Sequence, residues 1–369
     1  MTSSRLHPRR EEEMDQKLEF PLVSVIIPVG GTRVNDTQKL LDCVSSVCHQ
    51  GYPNLEVILV IDPSNSTVRN MRFPCPVTFV EYHRPPNGIG RDEKERYLLG
   101  WDHAKGQILA ITGVCLTWEP DVVETALEII RNEHVEAVDG ISKRQKGDKR
   151  FLALFQDDAL ISEFPPYKRD FALTKKTFAK DLRLPCLTSF FMTKELYQRI
   201  RENIPRGLDD GWADFNVARS IIDSGEAIFC TNRMVVHRAH KLSLRPGKQF
   251  ASGLSAARFC CDFPNNAYSQ KRLRLTTLVA ESVILFLLAA SMLIALSPLH
   301  GTIITLAAAL LVFGLAGAYN ALKAKYLMAV LFPPLSAVQV IIYTLGYLYG
   351  CICECNPDPE LLDFLHKSR

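Results

Sequence analysis

The sequence predicts an α/β domain with a mainly parallel sheet, followed by an α-helical transmembrane region. Two patterns predict it. Over roughly the first 250 residues, short β-branched runs alternate with amphipathic helical stretches, the rhythm that builds a parallel sheet. From Thr276 onward three apolar runs follow, each long enough for a hydrocarbon core of about 30 Å, which needs about 20 helical residues.

The first strand is VSVIIP at 23–28, a short apolar, β-branched run closed by Pro28, as expected of a fully buried parallel strand. A helix follows over 37–49, with Leu40, Leu41, Val44 and Val47 on one face. LEVILVI at 55–61 is the second strand and ends in the turn Asp62, Pro63, Ser64, Asn65. Residues 76–81 read as a third strand, 92–105 as a helix and 107–112 as a fourth strand. Ligands of such sheets sit outside the carboxyl ends of the strands, so Pro28, Val29, Gly30, Asp62 and Thr112 are expected to line one crevice.

In the membrane part, the run 278–297 carries one charge, Glu281, against eleven Leu, Ile, Phe or Val. At about −0.3 to −0.6 kcal/mol each near the helix centre, these outweigh a single Glu near its start. The runs 302–319 and 326–352 carry no charge, and Pro333-Pro334 is a place where the third could divide into an interfacial piece and a shorter span. Lys271, Arg272 and Arg274 precede the first span, Lys323 and Lys325 separate the second from the third, and residues 298–301 contain no Lys or Arg. The positive-inside rule therefore puts the large domain and the Lys323 loop in the cytoplasm and, if the third run spans, the tail after Cys351 outside. Between Lys241 and Arg274, basic Arg245, Lys248 and Arg258 interleave with Phe250 and Phe259. Beside a span this suits a segment lying on anionic headgroups, or else an amphipathic helix packed on the soluble domain.

A net charge of +3 is too small to argue for nucleic acid. The 11 cysteines lack a repeated C-x-x-C spacing, so zinc is not expected, and a cytoplasmic domain would keep most of them reduced. Cys351, Cys353 and Cys355 sit at a membrane edge, where acylation or simple apolar packing are the two readings. The expected boundaries are a solvated leader at 1–20 with no signal-peptide pattern, a soluble domain at 21–240, and a basic interfacial segment at 241–275. Transmembrane helices at about 276–297, 301–320 and 326–352 then fill the region 276–353, and a tail covers 354–369.

VSVIIPVGG at 23–31, LVID at 59–62 and AKGQIL at 104–109 resemble the opening of the family 2 glycosyltransferases of the GT-A fold. In that family the first strand ends in a Pro-Val/Thr-Tyr-Asn turn, and an Asp ending the second strand holds the nucleotide base. An Ala-x-Gly-Glu step then leads into a strand carrying an Asp-x-Asp metal motif. The resemblance resumes at WADFNVARSIIDSG, 212–225, which is similar to the family's Glu-Asp-x-Asp-Leu helix and keeps its Gly, Gly225, eleven residues after Asp214. VVH at 235–237 is similar to the strand ending in His that often follows. These motifs stand in the family's order over about residues 22–260.

The resemblance implies a nucleotide-diphospho-sugar transferase. Inverting transfer needs a general base for the acceptor's proton and stabilisation of the leaving diphosphate. Asp214 holds the family's position for the base; its other reading is a first-turn carboxylate that favours the helix dipole. Asp210 is a second catalytic candidate, with Asp209 and Trp212 on the acceptor side. Asp62 is expected to contact the nucleotide, or else simply to form the turn. Pro28, Val29 and Thr112 complete the donor crevice.

The chain departs from the family at 111–115, where Ile-Thr-Gly-Val-Cys replaces Asp-x-Asp, and at Ala213 and Asn216, which replace two acids of the later motif. Mg²⁺ or Mn²⁺ is the cofactor the resemblance implies, yet hard cations want oxygen ligands and Thr112 supplies at best one hydroxyl. No metal ligand is assigned. The diphosphate then needs side-chain cations. Arg91, Lys94 and Arg96 cluster before the fourth strand, with Arg91 favoured because it precedes the helix. Asp92, Glu93 and Glu95 interleave, so a solvated helix face is the other reading. His237 is expected at a metal or the diphosphate, or in a structural role.

Together these lines predict a membrane-bound inverting glycosyltransferase with its catalytic domain at the cytoplasmic face of the cell membrane. It would move a sugar from a nucleotide-sugar donor to a lipid-linked or glycan acceptor, among membrane lipids and without nucleic acid. The alternative is a catalytically inert GT-A-like binding protein that has lost its metal site. A polymer-extruding synthase fits less well: three short spans give little channel wall, and no Gln-x-x-Arg-Trp follows Asp214.

Overall fold

The computed structural model describes residues 20–30, 37–84, 93–144, 169–178, 187–204, 213–238, 246–262, 265, 267–324 and 331–352. The chain divides into two compact units, residues 1–147 with 164–240, and residues 148–163 with 241–369.

In the first unit, β1 (Val23–Val29), α1 (Thr37–Cys48), β2 (Leu55–Ile61), β3 (Val77–Glu81), α2 (Glu93–His103) and β4 (Ile108–Ile111) lie within two residues of their expected positions. β5 (Leu116–Trp118), α3 (Val122–Asn132), β6 (Ala137–Arg144), β7 (Phe171–Leu173), β8 (Phe190–Thr193) and α4 (Lys194–Ile200) follow. α5 (Ala213–Asp223) then leads into β9 (Ile228–Arg238). Among the described residues, nine strands form one sheet in the order β3-β2-β1-β4-β8-β6-β9-β5, with β7 against β9.

Every residue of β1 is buried, because alternate side chains feed two cores. Val23, Val25, Ile27 and Val29 face one core with Leu40, Cys43, Val44 and Val47 of α1 and the apolar stripe of α3. Ile26 faces the other, with Tyr97, Leu98 and Trp101 of α2 and Val217, Ala218, Ile221 and Ile222 of α5. Helices thus cover both faces of the sheet. The Ala-x-Gly step acquires a physical reason here. A Cβ on Gly106 would lie 2.5 Å from the Leu22 carbonyl oxygen, and its N–H donates to Ser24 Oγ at 2.8 Å. Gly225, after α5, has φ +93°, a left-handed conformation that glycine adopts without strain. Cys48, at the end of α1, is disulfide-bonded to Cys75 ahead of β3, a bond unlike the reduced state expected of most cysteines; Cys43, Cys115 and Cys230 in this unit are free thiols.

In the second unit, α6 (Pro246–Asp262), α7 (Ala267–Leu296), α8 (Pro298–Ala324) and α9 (Phe332–Ile352) are all helical. Among the described residues, three stretches are long and apolar enough to cross a membrane: Thr277–Leu296, Pro298–Ala316 and Pro333–Cys351. This is a membrane protein. The second span begins three to four residues earlier than expected. Residues 298–301 form the first turn of α8 instead of a loop, and Gly301 allows the closeness, since a Cβ there would lie 2.2 Å from the Leu293 carbonyl oxygen. Pro333-Pro334 sits in the first turn of α9, where a missing N–H costs nothing; most of the run ahead of it, 325–330, lies outside the described residues. α6 packs along α9 through glycines: a Cβ on Gly253 would lie 2.0 Å from the Tyr343 oxygen, and one on Gly346 2.1 Å from the Phe250 oxygen.

Candidate active site

Strand direction places the site. β1 runs parallel to β2 and β4, and β6 runs parallel to β9. β8 is antiparallel to both β4 and β6, so those two also share a direction. The carboxyl ends of β1, β2, β4, β6 and β9 therefore meet along one edge, where sheets of this kind bind ligands.

At that edge Arg96 joins the first two strands. Its Nη2 donates to Asp62 Oδ1 at 2.7 Å, its Nη1 donates to the Val29 carbonyl at 3.3 Å, and its guanidinium lies over the Tyr82 ring at 4.5 Å. Only 2% of Arg96 is exposed, against 26% of the Asp62 side chain, so the cation is the floor and the carboxylate the rim. The turn after β2 is held by other atoms: Asn65 N–H donates to the Asp62 carbonyl, and Asn65 Oδ1 caps Val68 N–H. Thus the Asp62 carboxylate is turned to Arg96. Pro28 and Val29 are buried behind this pair.

Arg96 belongs to the basic cluster in which sequence reasoning favoured Arg91. Its signal was its spacing: Arg96 stands one turn before Gly100, whose missing Cβ would lie 2.5 Å from Ile26 Cγ2 and 3.1 Å from Val60 Cγ2. A residue four positions earlier on that stripe must reach the ends of the same two strands. Lys94 is likewise buried in the first turn of α2, not on a solvated face. Arg91, Asp209, Asp210 and Trp212 lie outside the described residues.

Asp214 is half-buried in the first turn of α5. Four residues, 224–227, separate α5 from β9, whose first residue Ile228 pairs with the first residue of β6. α5 must therefore run back along the sheet, which brings its amino end and Asp214 toward the carboxyl edge. Asp214 also lies one turn before Val217 and Ala218, on the stripe that faces the sheet.

In the region that replaces Asp-x-Asp, Thr112 is buried while Gly113, Val114 and Cys115 are partly exposed. Thr112 is 1% exposed, and its Oγ1 accepts from Trp118 Nε1 at 2.9 Å. The Gly113 carbonyl accepts from the thiol of Cys43, a group whose pKa burial pushes far up. Among the described residues no three His, Cys, Asp or Glu side chains converge as a metal site. The Thr112 hydroxyl and the Gly113 carbonyl, both already hydrogen-bonded, are not the carboxylate pair that a hard divalent ion prefers. Beside them, His237 Nε2 is 2.8 Å from Glu119 Oε1, and Thr117 Oγ1 donates to the His237 carbonyl at 3.4 Å.

Residues 24–200 match the family profile Glycosyl transferase family 2. The first unit is a family 2 glycosyltransferase domain. Its mixed sheet, flanked by helices, has the α/β architecture of the GT-A class. Solved structures similar to this glycosyltransferase include the mannosyltransferase PcManGT from Pyrobaculum calidifontis, at 15% identity and TM-score 0.49, over 92% of this chain and 93% of that one. TarS of S. aureus matches at 14% identity and TM-score 0.44, over 67% of this chain but 43% of that one, so the chain spans less than half of that relative. A shorter form of TarS, residues 1–349, matches at 13% identity and TM-score 0.44, over 88% and 90%. Comparison with curated protein sequences finds no match.

Proposed function

We propose that this protein transfers a sugar, with inversion, from a nucleotide-sugar donor to a lipid-linked or glycan acceptor at the cytoplasmic face of a membrane. The observation that supports the proposal is a sheet whose residues 24–200 match family 2 and along whose carboxyl edge the Arg96–Asp62 pair, His237 and the amino end of α5 with Asp214 are all ranged. Asp62, held by Arg96, is the nucleotide contact. Asp214 takes the proton from the acceptor hydroxyl as that oxygen attacks the anomeric carbon. Three candidate spans that follow this domain in the sequence favour an acceptor delivered by the membrane. Lys271, Arg272 and Arg274 before the first span support the cytoplasmic orientation.

The test is a lipid extract from membranes holding wild type or Asp214→Asn, incubated with a panel of nucleotide sugars and analysed by mass spectrometry. Wild type should yield a glycosylated lipid or glycan. Asp214→Asn should still bind donor but yield no product, because it keeps the shape and loses the proton acceptor. One observation favours a second reading, an inert donor-binding protein: the buried Thr112–Trp118 contact takes up the Thr112 hydroxyl at the place of the metal ligands. Donor binding by wild type without any turnover across the panel would select that reading.

A further inference from the structure

If the donor is a nucleotide sugar, transfer leaves a diphosphate whose charge must be met without carboxylates that hold a metal. β6, β9 and β5 lie side by side, and Lys143, His237 and Thr117 stand in one row across them. Residues in one row project to the same face. Ile141 and Val235, two positions earlier on β6 and β9, belong to the core shared with α2 and α5. Lys143 and His237 therefore project on the α2 and α5 face at the carboxyl edge, the face that carries Arg96 and Asp214. Lys143 is exposed, whereas the His237 side chain is 13% exposed. Glu119 anchors that ring: its backbone N–H donates to the Val235 carbonyl at 3.2 Å, while its carboxylate meets His237 Nε2. Neither Lys143 nor Glu119 belongs to a motif that the sequence singled out.

We infer that Lys143 and His237, the latter oriented by Glu119, form the anion site that receives the leaving diphosphate in place of a divalent ion. The inference rests on the proposed transfer reaction. In that step the acceptor oxygen bonds to the anomeric carbon and its proton passes to Asp214. The bond from the anomeric carbon to the β-phosphate oxygen breaks, and its electron pair stays on that oxygen. Lys143 supplies the positive charge opposite it, and His237 a hydrogen-bonding ring of fixed plane. Glu119 is a positioning residue and touches no substrate.

The experiment uses the full chain in detergent, treated with EDTA, and measures binding of UDP, GDP, ADP and dTDP against the matching nucleosides. Wild type should bind at least one diphosphate more tightly than its nucleoside without metal. Lys143→Ala and His237→Gln should each cut that diphosphate advantage by about tenfold, as loss of a charge-assisted contact does, and leave nucleoside affinity unchanged. Lys143→Arg should keep the advantage. Glu119→Gln should reduce it several-fold and Glu119→Asp restore most of it, a rescue that a merely structural role would not give. Equal weakening of nucleoside and diphosphate in these variants would overturn the inference, as would a gain above about tenfold when Mn²⁺ is added to wild type. Diphosphate binding that Lys143→Ala leaves untouched sinks this inference alone. Failure of wild type to bind any diphosphate, with or without Mn²⁺, sinks the transfer reaction and this site together.

Discussion

Replacing Arg96 by Met keeps most of its volume and removes its charge from the floor of the donor crevice. The variant loses the 2.7 Å bond to Asp62, the 3.3 Å bond to the Val29 carbonyl and the stacking on Tyr82. Breaking a buried pair by removing one partner costs about 3–5 kcal/mol. The Asp62 side chain is 26% exposed and water reaches it once Arg96 is gone, so about 2–3 kcal/mol is expected. At roughly 2–4 °C per kcal/mol for a domain of this size, the melting temperature of the detergent-solubilised full chain should fall by about 5–10 °C. Donor affinity should fall at least about tenfold if Asp62 is the proposed nucleotide contact, because its carboxylate loses its anchor. Arg96→Lys should recover only part of this, since one ammonium cannot span Asp62 and the Val29 carbonyl together. Asp62→Asn combined with Arg96→Met should lose about 1.5 kcal/mol less than the sum of the two single changes, because both remove the same contact. A melting temperature within about 2 °C of wild type, with donor affinity unchanged, would refute the assignment of Arg96 as the floor of the site.

The other predictions concern the membrane unit and the compartment. A reporter fused after Pro298 should appear outside the cytoplasm and one at Lys323 inside; a cytoplasmic Pro298 reporter would reverse the orientation. If the domain is cytoplasmic, acid-quenched alkylation of whole cells should recover Cys48 and Cys75 as thiols, with the bond closing after lysis. Their recovery as a disulfide would place the domain in an oxidising compartment. Closing that 27-residue separation stabilises by about 3–4 kcal/mol in the chain-entropy account, so Cys48→Ser should lower the melting temperature of the oxidised protein and barely alter the reduced one. Gly346→Val would push a side chain into the Phe250 carbonyl, and loss of protease resistance in α6 is expected; a variant as resistant as wild type would argue against the α6–α9 contact.

Much of the sheet was legible from local pattern, and the reason is visible in β1 and β2. Strands buried on both faces hold few polar residues, so a mostly apolar, β-branched run marks them; Ser24, the polar residue of β1, is buried because its hydroxyl donates to Glu56 of β2. The amphipathic stripe of α3, from Val122 to Ile130, carried an equally clear signal and could have been read the same way. β5, β7 and β8 are three or four residues long and carry no period to detect.

By itself, the sequence determined the α/β class, the three apolar spans, the order of the family motifs and the loss of the metal-binding carboxylates. These depend on residue type and short-range spacing, which the chain carries wherever it folds. Only the tertiary structure decided which polar groups meet. Arg96 finds Asp62 across 34 residues, and His237 finds Glu119 across 118. Buried polar side chains are stable only beside partners, and here the pairs join elements far apart in the chain: α2 with the turn after β2, and β9 with the residue that follows β5. The same pairing of β6 with β9 sets Lys143 beside His237, a proximity that depends on strand register and leaves no mark in local composition.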